Sequence, residues 1–401
     1  MACRSGRRQC GFPIPTRIPD RIFPAMTKTF NEAIGNLALL KSLLDDCEFD
    51  AIVAGTPENV RYVADVMIST QYAIRDRLAF VVWAKGRDPI FVLCQVEEGY
   101  VRQQSWISDI RGYKEFVTRP MDVLADVLAE LGLSAGRVAM EVEFLASLYR
   151  DQLAERLPNL SIGAAEPIFR RARMIKSPRE VETLRRGYRG TEKAMFATYI
   201  TATVGEDEFS LSRRLADGII LSGADAVAFN HINAGPNTGF PHAAPTRYQI
   251  KPGDIIKADS GGFYDDYYSN VGRTAKMGAP TADEIDLWKR LRAIHHEIAD
   301  MLRPGNTGRQ LFARAGELHE KHGIPFPFAH NGHSVGLQVH EHPLISPHED
   351  MPYEAGMVST VETRVRWVGK AGYHMEDLFL ITDGAPVLLS DAFDNEQILV
   401  V

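Results

Sequence analysis

The spacing of apolar positions predicts mixed helix and strand in the first part of the chain. Apolar residues from Phe30 to about Leu44 recur at helical intervals and predict a first helix. Short apolar runs bounded by turn residues predict strands at 51–54, 78–82, 89–93 and 138–142, and helical spacing returns at 123–131 and 145–157. This alternation predicts an α/β domain, which we place at residues 27–168.

A second region, residues 169–401, is predicted to be an α+β domain. Ser177 directly before Pro178 is a typical helix start, and the helical pattern that follows extends to Met195. Leu211, Leu215 and Ile219 predict another helix. A strand at 226–232, helices at 282–301 and 307–322, and two final strand-rich segments complete the region.

A predicted hairpin at residues 259–274 carries the first candidate chemistry. A strand-like run leads into Asp259, the pairs Gly261-Gly262 and Asp265-Asp266 suit turns, and two tyrosines precede Asn270. On neighbouring strands, the side chains of Asp259 and Asn270 can lie on the same face. That is the arrangement a metal needs when its ligands come from adjacent strands.

Composition and charge narrow the class of protein. With 45% hydrophobic and 24% charged residues and no long apolar run, the chain is typical of soluble proteins without a membrane span. Its 52 acidic against 45 basic residues, net charge −7, argue against general nucleic-acid binding and favour small or peptide-like substrates. Its four cysteines lack metal-site spacing, which indicates free thiols in a reducing compartment, by default the cytoplasm.

Residues 1–26 are set apart by composition. They contain five arginines, four prolines and a single acid, without the apolar core of a secretory signal. A transit peptide is one interpretation. A disordered tail, or an extension upstream of a start at Met26, is the other, which we prefer; either way the segment is left out of the fold.

All 12 histidines follow Asn230, and several stand in compact motifs with carboxylates. Any one of them could be structural. Taken in order, an aspartate, a second oxygen donor, a histidine and two glutamates form a mixed nitrogen and oxygen donor set that suits Mn, Fe, Co or Zn. Two such ions can polarise a carbonyl and activate water, as hydrolysis of a C–N bond requires.

The order and spacing of these motifs over residues 170–385 resemble the pita-bread superfamily of creatinase, prolidase and aminopeptidase P (peptidase M24). The segment Met174–Pro178 is similar to that family's entry to its catalytic domain, and the first region resembles its smaller N-terminal domain. The resemblance implies a homodimer and one or two divalent metals. It implies metal ligands at Asp259, Asn270, His333, Glu362 and Glu376, substrate-carbonyl and intermediate contacts from His242 and His340, and proton transfer by Glu362.

The chain departs from that pattern at three positions. Asn270 stands where the peptidases have a second aspartate, so four carboxylates become three. We expect one metal to be weakened or absent, unless Asp265 or Asp266 turns inward. Thr363 and His374 stand where proline and arginine are usual, which implies altered substrate handling.

Three functions follow, in order of preference. The first is a metal-dependent hydrolase of amide bonds in small peptides, of the Xaa-Pro dipeptidase or aminopeptidase P type. The second is a hydrolase or lyase of a small nitrogenous metabolite, because residues 235–242 resemble the creatinase branch, which lacks the metals. The third is a silent binding protein on the same fold. Four retained ligands favour metal binding, since buried carboxylates without a cation repel one another.

Overall fold

The computed structural model describes residues 28–401, so the prediction for residues 1–26 lies outside the described residues. Two large sheets with separate helices, and a small two-stranded sheet at 333–334 and 341–344, divide this part of the chain into an α/β region and an α+β region, as expected. The division predicted at residues 168 and 169 falls inside one helix, Glu166–Met174, that connects the two regions. No helix within residues 28–401 is long and apolar enough to cross a bilayer.

The N-terminal region is built on a six-stranded mixed sheet of order β4-β3-β2-β1-β5-β6. Its strands are β1 (Ala51–Ala54), β2 (Phe80–Ala84), β3 (Ile90–Cys94), β4 (Asp109–Tyr113), β5 (Arg137–Met140) and β6 (Ser161–Ala164). Its helices are α1 (Leu37–Asp46), α2 (Pro57–Ala64), α3 (Ser69–Ala73), α4 (Gln95–Gln104), α5 (Pro120–Glu130), α6 (Ser147–Arg156) and the connecting α7 (Glu166–Met174).

The predicted start of the first helix is wrong. Residues Phe30–Glu32 form a separate 3-10 turn, and α1 begins only at Leu37. The Asn36 side chain accepts a hydrogen bond from the Leu39 amide and caps α1. The apolar pattern did not reveal this helix start because Ile34 has the same helical spacing as the buried residues of α1.

The C-terminal region contains an antiparallel sheet of order β13-β14-β10-β8-β7, covered by two helix pairs. Its helices are α8 (Pro178–Ile200), α9 (Glu208–Leu221), α10 (Ala282–Asp300) and α11 (Gly308–Lys321). Its strands are β7 (Ala226–Ala234), β8 (Ile255–Tyr264), β9 (Tyr267–Tyr268), β10 (Val271–Lys276), β11 (His333–Ser334), β12 (Glu341–Leu344), β13 (Val358–Trp367), β14 (Ala371–Leu380), β15 (Val387–Leu388) and β16 (Leu399–Val400).

Two sequence signals place the helices correctly. Ser177 and Glu180 form a capping box at the start of α8, with Pro178 at the first helical position. Leu211, Leu215 and Ile219 are fully buried on one face of α9, which packs on β7 and α8. At the other end of the sheet α10 packs on β13, and α11 packs on α10.

The predicted hairpin turns at Asp265 and Asp266, both with positive φ, while the two glycines lie within β8. Gly261 is required there because a Cβ would fall 1.9 Å from the Ser269 carbonyl oxygen. Arg186 pairs with Asp265 and Arg61 with Asp266, so both carboxylates point away from the sheet face of Asp259. The idea that either aspartate compensates for Asn270 is therefore wrong.

A buried ion-pair cluster joins the connecting helix α7 to the C-terminal region. Glu341, at the start of β12, pairs with Arg173 of α7 and lies 2.9 Å from the Lys176 Nζ atom. All three side chains are buried. Because His340 precedes Glu341 directly, this cluster also holds the strand that presents one of the candidate catalytic histidines.

Candidate metal centre

The five predicted metal positions converge on one face of the C-terminal sheet. Asp259 lies on β8, His333 on β11, Glu362 on β13 and Glu376 on β14, and Asn270 lies directly before β10. Strand pairing places Glu362 opposite Glu376, and both Asp259 and Glu376 opposite Gly272. All five residues are buried, and the four other than His333 line a cavity of about 490 Å³.

His333 is held with one ring nitrogen turned toward the carboxylates. Its Nδ1 lies 2.9 Å from the Ser334 carbonyl oxygen, so Nδ1–H donates there and Nε2 faces the site. Nε2 lies 3.3 Å from Glu362 Oε1 and 3.4 Å from Glu376 Oε1. Fixing one nitrogen by a backbone hydrogen bond and presenting the other is typical of a metal-binding histidine.

The three carboxylates are crowded and buried. Burial and the neighbouring charge of Glu362 raise the pKa of Glu376 to about 8, and the same causes raise the pKa of Asp259. Burial alone would raise the pKa of Glu362, but Arg364 and His333 hold it well below its ordinary value. Arg364 pairs with Glu362 Oε2, so Oε1 is the oxygen that faces His333. Such mutual repulsion is what bound cations relieve.

Asn270 contacts its neighbours through its amide nitrogen. Nδ2 donates to Glu376 Oε1 at 2.9 Å and lies 3.3 Å from His333 Nε2. The Oδ1 atom is buried without a hydrogen-bond partner among residues 28–401. In this orientation Asn270 positions Glu376, and acting as an oxygen ligand would require rotation of its amide.

The two predicted catalytic histidines lie at the mouth of the cavity and are exposed. His242 Nε2 lies 3.7 Å from Asp259 Oδ2, and the ring of His340 lies 4.0 Å from that of His333, centroid to centroid. Although both rings reach solvent, the protein atoms packed around them partly desolvate them. This desolvation, with the charge of His333, lowers the pKa of His340 to about 4, and desolvation lowers the pKa of His242 as well. Both rings are therefore neutral near pH 7 and can donate one N–H each.

No metal role was predicted for His374, and two arginines of the site were not predicted at all. His374 lies on β14, one residue after Tyr373, and its ring is buried against Gly272. Arg364 and Arg366, both on β13, line the cavity beside it. Alternation along strands could have found them, since residues 362, 364 and 366 share one face, as do residues 374 and 376.

The donor set fits a divalent metal. Two groups of three side chains, Asp259 with His374 and Glu376, and His333 with Glu362 and Glu376, each offer ligand atoms within 4.8 Å of one another. Carboxylate oxygens and imidazole nitrogens without thiolates suit hard or borderline ions. Two exposed histidines, His242 and His340, lie beside these groups.

Comparison with known proteins identifies the family. The sequence model of Metallopeptidase family M24 matches residues 182–383, and that of the Creatinase/Prolidase N-terminal domain matches residues 37–175. The first match covers half of the chain, and the protein therefore belongs to metallopeptidase family M24. This confirms the expected resemblance to the pita-bread superfamily and the predicted hydrolase class.

Related proteins cover nearly the whole chain. The Xaa-Pro dipeptidase of Pyrococcus furiosus is 28% identical over 350 residues, 86% of this chain and 95% of the relative. The probable dipeptidase PepE of Mycobacterium tuberculosis is 27% identical over 353 residues, covering 88% and 93%. The structure of an X-Pro aminopeptidase from Thermotoga maritima matches with TM-score 0.80 at 20% identity, covering 91% and 99%. The predicted fold class is confirmed.

Proposed function

We propose that this protein is a metal-dependent dipeptidase that cleaves small peptides, Xaa-Pro dipeptides among them. The observation that carries the proposal is a cavity with metal-binding side chains at its floor, neutral histidines at its mouth and an arginine beside them. The names of the two dipeptidase relatives support the same substrate class.

We assign the metal to Asp259, His333, Glu362 and Glu376, with Asn270 beside them. When bound, a divalent ion supplies Lewis acidity to the scissile carbonyl and lowers the pKa of water. His242 and His340 donate N–H groups to the carbonyl oxygen and to the charge that develops on it. Glu362 remains the candidate for carrying a proton to the leaving nitrogen, through Oε1, because Arg364 pairs with Oε2.

Arg366 supplies the selectivity for short peptides in this proposal. Its side chain lines the cavity, and its Nε atom is buried without a hydrogen-bond partner among the described residues. An unpaired guanidinium is suited to bind a carboxylate with two parallel hydrogen bonds. The carboxylate terminus of a dipeptide is the group that would reach it while the amide bond lies over the metals.

A panel of dipeptides and their C-terminal amides tests this assignment. After chelator treatment and reloading with Mn²⁺, Co²⁺ or Zn²⁺, the protein is expected to cleave free dipeptides. Its kcat/KM on the amides should be at least about tenfold lower, because an amide cannot form the ion-paired contact with Arg366, which contributes about 1.5–3 kcal/mol. Inactivity on the whole panel with every metal would reject the proposal.

Asn270 favours a second candidate, a hydrolase or lyase acting on a small nitrogenous metabolite. A neutral amide stands where two-metal peptidases have a carboxylate, so the donor set carries one negative charge fewer, and the amide nitrogen donates to Glu376. Activity on cyclic or guanidino-type amides, with none on dipeptides, would favour this candidate.

Three further assignments belong to the proposal. The donor set suits Mn, Co, Fe or Zn, at one or two ions per chain. The cysteine pattern supports a cytoplasmic location, and the family resemblance supports a homodimer. Light scattering of the purified chain checks the dimer, and metal analysis of protein purified without added metal checks the ions.

A further inference from the structure

His374 is a buried histidine without a hydrogen bond to either ring nitrogen among residues 28–401. The side chain is 1% exposed, and both Nδ1 and Nε2 lack partners. A buried polar group of this kind costs free energy unless something satisfies it. The ring therefore needs a partner.

Carboxylates of the metal centre lie close to both nitrogens. Nδ1 lies 3.6 Å from Asp259 Oδ2, and Nε2 lies 3.8 Å from Glu376 Oε2 and 3.9 Å from Glu362 Oε2. These separations are too long for hydrogen bonds. Two donors bound tetrahedrally to one zinc at about 2.1 Å lie about 3.4 Å apart. Each of these nitrogen–carboxylate pairs is therefore within a few tenths of an ångström of the spacing of two ligands of one ion, and the nitrogen that does not bind the ion can donate its N–H to the carboxylate it faces.

Gly272 makes the room for this ring. A Cβ at Gly272 would lie 2.8 Å from Cε1 and 2.9 Å from both nitrogens of His374. Any side chain there would push the ring away from Asp259 and Glu376, since Gly272 pairs with both in the sheet. Only a residue without a side chain at position 272 therefore leaves room for the His374 ring in this position.

We propose that His374 is a metal ligand that replaces the carboxylate missing at Asn270. One ion is then held by His333, Glu362 and Glu376, and the other by Asp259, His374 and Glu376. A second neutral imidazole makes the site richer in nitrogen, which favours borderline ions such as Zn²⁺ and Co²⁺ over Mn²⁺. The inference rests on the metal centre of the proposed function and adds a ligand to it.

The role of His374 as a metal ligand is tested by titrating the metal-stripped full chain with Zn²⁺ and Co²⁺. Binding is followed by calorimetry and metal analysis. His374→Gln is expected to lose one bound ion, or to bind it more than tenfold less tightly, since even outer-shell losses at metal sites cost about 10–100-fold. His319→Gln is the matched control: His319 is also buried with two unpartnered nitrogens, but it lies outside the metal centre.

The outcomes separate the two ideas. Absence of metal binding by the unmodified chain would reject the proposed function itself. Equal ion number and affinity in the unmodified chain and His374→Gln would overturn the ligand role alone. If His374→Gln fails to fold, NMR of the Co²⁺-loaded unmodified chain decides: two strongly shifted exchangeable imidazole N–H signals support His374 as a ligand, and one signal, from His333, contradicts it.

Discussion

Replacing Glu341 with glutamine is expected to destabilise the junction between the two regions of the chain. Burial alone would raise the pKa of Glu341, but Arg173 and Lys176 lower it to about 2 from an ordinary value of 4.5. A shift of this size corresponds to about 3 kcal/mol of folding free energy near pH 7. Glutamine keeps the shape but leaves two buried cations without their counter-charge, which costs about 3–5 kcal/mol.

The pH dependence of that loss has a definite sign. Because the folded-state pKa is depressed, the stabilisation is fully present above about pH 4.5 and is lost as pH falls toward 2. The difference in unfolding free energy between the unmodified protein and Glu341→Gln, measured in urea, should therefore be about 3 kcal/mol at pH 7 and smaller by about 0.8 kcal/mol at pH 4.

An exposed ion pair of the same helix provides the control. Arg171, also on α7, pairs with Glu354 at 2.8 Å, with side-chain exposures of 32% and 46%. Glu354→Gln is expected to cost at most about 1 kcal/mol because exposed pairs contribute little. Equal losses in both variants would contradict a stabilising role for the ion pairs of Glu341. A loss in Glu341→Gln that does not change between pH 7 and pH 4 would contradict it as well.

Three other substitutions test the site. Asn270→Asp restores a fourth carboxylate and should increase metal occupancy, measured by metal analysis; an unchanged content would mean that position 270 does not face the metals. His340→Ala removes a donor to developing charge and should lower kcat about 10²-fold or more with metal content unchanged, whereas an effect on KM alone would contradict that role. Arg366→Gln should reduce kcat/KM at least about tenfold on free dipeptides and little on their C-terminal amides, and equal effects on both would exclude carboxylate binding.

The fold was largely predictable because local signals agree with tertiary packing. In three places the local sequence preference and the tertiary contacts favour the same structure. These places are the Ser177 capping box, the buried face of α9 and the hairpin of β8 and β10. The convergence of Asp259, His333, Glu362 and Glu376 was predictable by a different route, because the order and spacing of their motifs resemble those of the pita-bread superfamily.

The remaining features depend on contacts that one sequence does not reveal. The outward turn of Asp265 and Asp266 is set by Arg186 and Arg61, the latter about 200 residues away in the chain. The match between Gly272 and His374 likewise becomes visible only when β10 and β14 are paired. The start of α1 was missed because a cap at Asn36 outweighs apolar spacing.

In the function proposed above, the buried carboxylates and histidines hold metal for hydrolysis of dipeptides. The most direct measurement is the rate of Xaa-Pro dipeptide cleavage by the full chain after chelation and after reloading with Co²⁺, Mn²⁺ or Zn²⁺, with bound metal counted in the same samples. We predict negligible cleavage without metal and recovery in proportion to bound ions. Cleavage that is unaffected by metal removal, or absent at full metal occupancy, would contradict the claim.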